Sequence, residues 1–180
     1  MKKKLLTMFA VALLAGPMAA QANLIGDTVN CSFTGGDATC APASAAVGAG
    51  SEFNINLFGN PLVAVDVGAS SVTFTASQIF GFSTDTFVLS DLDFASAPGG
   101  ITAVELASDG TPFNISADNL SFTSDSLTVD FHNLNFRSIG SFFTVNFVTA
   151  PTSVPEPGTL ALFGLGLAGL AFARRRHAMR

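Results

Sequence analysis

The chain has 180 residues, with 13 acidic and 8 basic side chains, 48% hydrophobic content, 18 Phe and neither Tyr nor Trp. Lys2, Lys3 and Lys4 open it, Arg174, Arg175, Arg176 and Arg180 close it, and Arg137 is the one base within 23–157, the stretch that holds all 13 acids. One base against thirteen acids gives that stretch a formal charge of −12, which repels phosphate backbones and argues against a nucleic-acid partner. It also has no Lys and a single His, so it lacks most side chains used in acid-base chemistry; no catalytic residue, metal site or cofactor is expected.

At the N-terminus the three lysines precede an apolar run, 5–16, followed by Pro17 and the small-residue pattern Ala20-Gln21-Ala22. This is the three-part layout of a secretory signal peptide, 1–22, with Asn23 as the first residue left after cleavage. An uncleaved anchoring helix is a poorer reading, because about 12 apolar residues are too few to span roughly 30 Å of hydrocarbon.

Past the signal, Cys31 and Cys40 are the only cysteines, nine positions apart. In an exported chain a lone close pair is expected to form a disulfide, which would order an N-terminal hairpin or loop and contribute about 2.5 kcal/mol in the chain-entropy model. Residues 41–50 are almost all Ala, Gly, Ser and Pro and read as a connection, so 23–50 is expected to flank the main domain.

Residues 51–150 carry short alternating segments: Phe53, Ile55 and Leu57; Val63, Val65 and Val67; Val72 and Phe74; Leu127, Val129 and Phe131; Phe143, Val145 and Phe147. Polar residues between the apolar ones give the period of half-buried strands. Turn signals separate them at Gly59-Asn60-Pro61, Ala97-Pro98-Gly99-Gly100, Asp109-Gly110 and Thr123-Ser124-Asp125. The expected fold is all-β, a β-sandwich of about eight to ten short strands, with a barrel as the alternative. Leu-x-Phe recurs at Leu92, Leu120 and Leu134, but the unequal intervals point to shared strand pattern rather than a repeat. Phe does the packing otherwise given to Trp and Tyr.

Candidate chemistry in this domain is sparse. Alternation puts Thr128, Asp130 and His132 on an outward face, where a carboxylate–imidazole pair would suit a Ser-His-Asp hydrolase; no nucleophile elbow accompanies it. Asp91 and Asp93, with Asp125 and Asp130, raise calcium, which takes six to eight oxygens, but no EF-hand or comparable loop gathers them. For glycans, the missing Trp and Tyr remove the usual stacking platforms. Asn30, Asn114 and Asn119 each begin an Asn-x-Ser sequon, read as chance in a chain rich in both residues.

The final segment, 151–180, is of another kind. Val154-Pro155-Glu156-Pro157-Gly158 precedes an apolar run, 159–173, then Arg174-Arg175-Arg176. A helix begins only after the prolines, and fifteen residues reach about 22 Å, a short single transmembrane span that needs snorkelling flanks or a thinned bilayer. The arginines would stay cytoplasmic and leave the acidic body outside. Within the run, Gly164 to Gly169 matches the dinucleotide fingerprint GxGxxG, but no strand precedes it and no βαβ unit can follow. The tail resembles the PEP-CTERM sorting domain of exported Gram-negative bacterial proteins, with Val154, Pro155, Glu156 and Pro157 as the motif and Arg174, Arg175 and Arg176 as the basic stop-transfer cluster. The resemblance implies recognition by an exosortase, transient residence of a precursor in the inner membrane, cleavage near Pro155-Glu156-Pro157, and a processed body at the cell surface or outside the cell. It further implies a link to extracellular polysaccharide and biofilm formation, hence a non-enzymatic surface or matrix protein. The alternative function is an acidic β-sandwich that binds calcium, a glycan or a protein partner.

Overall fold

In the computed structural model the described residues are 22–83, 85–95, 97–107, 115–150 and 163–167. The first part of the chain gives β1 (Thr28–Thr34), β2 (Ala38–Ala41), β3 (Ser44–Ala46), β4 (Phe53–Leu57), β5 (Asn60–Val67) and β6 (Ser71–Ala76). Then follow β7 (Phe80–Gly81), β8 (Thr86–Ser90), β9 (Ile101–Ala107), a single 3-10 turn (Ala117–Asn119), β10 (Leu120–Phe122), β11 (Ser126–Asp130), β12 (Asn135–Phe136) and β13 (Phe142–Thr149). The longer strands follow the alternation read from the sequence. Val63, Val65 and Val67 of β5, Leu127 and Val129 of β11, and Phe143, Val145 and Phe147 of β13 are all buried, with more exposed residues between most of them.

Among the described residues the strands form a five-stranded sheet, β10-β11-β8-β1-β3, a six-stranded sheet, β2-β4-β5-β6-β13-β9, and a two-stranded ribbon, β12-β7. Every pairing is antiparallel. The two large sheets meet through their apolar faces, where the Phe74 ring of β6 meets the edge of Phe87 of β8 at 5.0 Å. Phe131, just past β11, packs its ring 5.8 Å from Phe74 and 4.9 Å from Phe82. The ribbon adds Phe80 stacked on Phe136 at 4.8 Å. Edge and offset arrangements of this kind suit the ring quadrupoles, so Phe supplies all the aromatic packing of the core, beside Val, Leu and Ile, with no hydroxyl or indole N–H to satisfy.

The architecture is therefore sandwich-like, and the barrel alternative is overturned. β10 and β3 end one sheet, β2 and β9 the other, and among the described residues no pairing closes either upon itself. There are thirteen strands among the described residues rather than eight to ten, because β3, β7 and β12 are pieces of two or three residues that carry no alternating pattern of their own. Residues 23–50 do not flank the sandwich. They supply β1 and β3 to one sheet and β2 to the other, with β3 pairing Ser44 to Asn30 inside the stretch read as a connection. Residues Gln21–Thr152 form one compact unit that contains both sheets and the whole buried core, and so meet the requirements of an independently folding body.

The β4–β5 turn also differs from the sequence reading. Leu57 pairs with Asn60, so the two turn residues are Phe58 and Gly59, both with positive φ, 50° and 80°. Asn60 and Pro61 already belong to β5, and Pro61 is tolerated there beside a register shift between Ile55 and Asn56. In the tail, 163–167 are helical, and among the described residues no helix is long and apolar enough to cross a membrane. The expected span 159–173 lies largely outside the described residues.

Candidate functional site

Of the residues singled out in the sequence, Cys31 and Cys40 are bonded, with Cα atoms 6.0 Å apart. The bond joins β1 of the five-stranded sheet to β2 of the six-stranded sheet, so it ties the two layers at one side instead of pinning an isolated hairpin. Cys31 alternates inward with Val29 on β1, which places its sulfur in the interlayer space that β2 reaches after the tight turn at Gly35 and Gly36.

Asp130 and His132 adopt a local arrangement. The Asp130 Oδ1 accepts the backbone N–H of His132 at 2.8 Å, and the chain turns at once through Asn133, at φ 61°. The Asp130 carbonyl in turn accepts Asn119 Nδ2 at 3.0 Å. Both Asp130 and His132 are exposed, and the carboxylate is held by the backbone, which is the signature of an Asx turn closing the strand. Asn119 Oδ1 accepts the Ser116 N–H at 2.9 Å and Asn30 Nδ2 donates to Asp91 Oδ2 at 3.3 Å, so two of the three sequon amides have structural partners; Asn114 lies outside the described residues.

The acids considered for calcium do not converge. Asp125 precedes β11 and Asp130 ends it, which puts the two at opposite ends of a strand, and among the described residues no three His, Cys, Asp or Glu side chains group so as to hold a metal. Asp93 and Asp125 do share a different feature. They line an open cleft of about 360 Å³ whose other walls include Leu92, Phe94, Ala97 and Pro98.

Local rules build this cleft. In the β8–β9 loop Leu92 and Phe94 turn inward, Phe94 packing its ring 5.5 Å from Phe147, so Asp93 between them must face out. The loop is fastened to the β10–β11 turn: Leu92 N–H donates to the Asp125 carbonyl at 2.9 Å and Ile101 N–H to the Ser124 carbonyl at 2.8 Å. Asp93 N–H donates to Asp27 Oδ2 at 2.8 Å, and the Asp125 carboxylate accepts Thr123 Oγ1 at 2.6 Å. Gly100, at φ 64°, passes so close to the Ser124 backbone that any Cβ would collide with its carbonyl. In the sequence Ala97-Pro98-Gly99-Gly100 and Thr123-Ser124-Asp125 read only as turns; their juxtaposition is a product of topology, since β9 and β10 lie on different sheets.

The body's last described residue, Ala150, is anchored beside the cleft by its N–H to the Gly100 carbonyl at 3.3 Å. Val154, Pro155, Glu156, Pro157, Arg174, Arg175 and Arg176, like residues 1–21, lie outside the described residues. What the chain carries there is settled by comparison. The class defined so far is an antiparallel, disulfide-tied β-sandwich with a separate C-terminal signal. The family model of the PEP-CTERM protein-sorting motif matches 153–176, so the protein carries a PEP-CTERM motif and is an exported protein with a C-terminal sorting signal, of the kind generally recognised by exosortases. No curated protein and no solved structure matches the chain.

Proposed function

We propose that the protein is a non-enzymatic component of the cell surface or extracellular matrix, delivered by exosortase-dependent processing of its tail and working alongside extracellular polysaccharide. The observation that carries this reading is the PEP-CTERM motif at 153–176, set directly behind a self-contained body that ends at Thr152. The layout of 1–22 supplies export, and a short apolar segment stopped by three arginines holds the precursor in the inner membrane long enough to be read. A body of 23–152, with twelve acids against Arg137 alone and hence a charge of −11, stays soluble and apart from nucleic acid once outside.

The test separates recognition from hydrophobicity. Changing Pro155, Glu156 and Pro157 to Ala leaves the apolar run and Arg174 to Arg176 intact. In a host carrying the exosortase, the wild type should lose roughly its last 20 residues and leave the inner membrane, while the triple variant should remain there at full length. Identical C-termini and locations for the two proteins would sink the proposal.

A further inference from the structure

We propose that the folded body closes over its own signal-peptide cleavage site, so that hydrolysis of the Ala22–Asn23 bond has to come before the segment just behind it docks. This rests on the reading of 1–22 as a signal peptide and takes it further, by fixing the place of the cleavage step in the order of maturation.

The residues that cleavage leaves at the new N-terminus are built into the fold. Leu24 is fully buried and belongs to the core, and its N–H donates to the Ala69 carbonyl in the β5–β6 turn at 2.9 Å. Asn23 forms an antiparallel bridge with Ala95 of the β8–β9 loop, its carbonyl accepting the Ala95 N–H at 2.9 Å. Just past β3, Val47 takes the Gly26 N–H on its carbonyl at 2.9 Å and gives its own N–H to the Asp27 carbonyl at 2.8 Å. The Asp27 side chain accepts the Asp93 N–H through Oδ2 at 2.8 Å. Residues 23–27 are thus fastened to three separate stretches of the body. Ala22, on the other side of the scissile bond, is partly buried against the same core.

A signal peptidase reads the small side chains of Ala20 and Ala22 and takes the chain on both sides of the bond in extended form along its own groove. Ala22 cannot lie in that groove and against the core at once, and Asn23 cannot leave Ala95 without drawing Leu24 out behind it. Opening the site therefore exposes a buried Leu and breaks several backbone bonds, which leaves it open in about one folded molecule in a hundred or fewer. Proteolysis follows that open population when opening is fast relative to cleavage. Hydrolysis adds water across the bond, leaving a carboxylate on Ala22 and an amine on Asn23. The Asn23 carbonyl, the Leu24 N–H and side chain, and Asp27 are untouched, so the seat is complete for the processed chain. A chain that folds before it is cut keeps its signal peptide.

The test uses the full chain in detergent micelles with purified signal peptidase, added either before the chain is diluted out of denaturant or after it has folded and oxidised. Mass spectrometry reads the product. Cleavage between Ala22 and Asn23 should run to completion in the first order and be about 100-fold slower in the second. A variant with Ser-Gly-Ser-Gly-Ser-Gly inserted between Ala22 and Asn23 moves the bond away from the seat without altering the body, and should be cut at the same rate in both orders. Equal rates for the wild type in the two orders, or a folded insertion variant as slow as the folded wild type, would overturn the proposal. A wild type cut in neither order, or cut at another bond, would overturn the signal-peptide reading and the proposal with it.

Discussion

Cys31 and Cys40 lie nine residues apart in the chain and on opposite sheets of the sandwich. Because the bond crosses between layers, its loss frees β2 to leave the edge of the six-stranded sheet while β1 stays paired with β8. Replacing both cysteines with Ala should lower stability by about 2.5 kcal/mol, read as a reduced denaturant midpoint. Thiol titration of the exported wild type under denaturing conditions should find none free.

At Phe58 the expected change has the opposite sign. Two successive positive φ values across a two-residue hairpin favour Asn-Gly, and Phe58 occupies the position where Asn fits. Phe58→Asn removes a side chain that is 78% exposed, so it loses little packing, and it relieves left-handed strain. The variant should be more stable by about 1 kcal/mol, a rise of roughly 3 to 6 °C in Tm. A fall in Tm would mean that the ring contributes packing its exposure does not suggest.

Gly100 makes the reverse case. It combines φ 64° with a backbone contact that leaves no room for a Cβ, and its neighbour Ile101 depends on that same Ser124 carbonyl for its hydrogen bond. Gly100→Ala should cost about 3 kcal/mol and open the β8–β9 loop, detectable as faster amide exchange at Leu92 and Ile101. Gly59→Ala, with nothing within 4 Å of an added Cβ, should cost less, from its φ alone.

These positions also show what the sequence could and could not disclose. Val63, Val65 and Val67 or Phe143, Val145 and Phe147 announce strands because burial on one face imposes period two on side-chain chemistry. β3 was hidden because Ser44, Ala45 and Ala46 pair with β1 through backbone groups alone, which no side-chain pattern records. The β4–β5 turn was misplaced because Asn60-Pro61 is the stronger textual signal, whereas register with Leu57 selects Phe58-Gly59. Leu92 and Phe94 have the spacing of a strand yet lie in a loop, where the core fixes the inward side chains and, among the described residues, the chain alongside makes only an isolated bridge, Asn23 to Ala95. The sorting motif was legible because its signature, apolar segment and basic cluster are contiguous. The cleft was not, since it needs residues from two loops more than twenty positions apart.

The absence of cations has a measurable consequence. Residues 23–157 offer one Arg where phosphate binding takes several, so the body should pass through heparin unretained at physiological salt and leave DNA mobility unchanged. Salt-sensitive retention would contradict this.

The strand that leads into the tail is hydrogen-bonded on both sides, β13 lying between β6 and β9. Ladder bonds in antiparallel sheets run across the strands. A load applied along β13 therefore falls on the rungs of two ladders at once, in shear, whereas the same load along an edge strand such as β2 falls on one. Pulling on the chain at Ala150 is therefore resisted by both neighbours of β13 together.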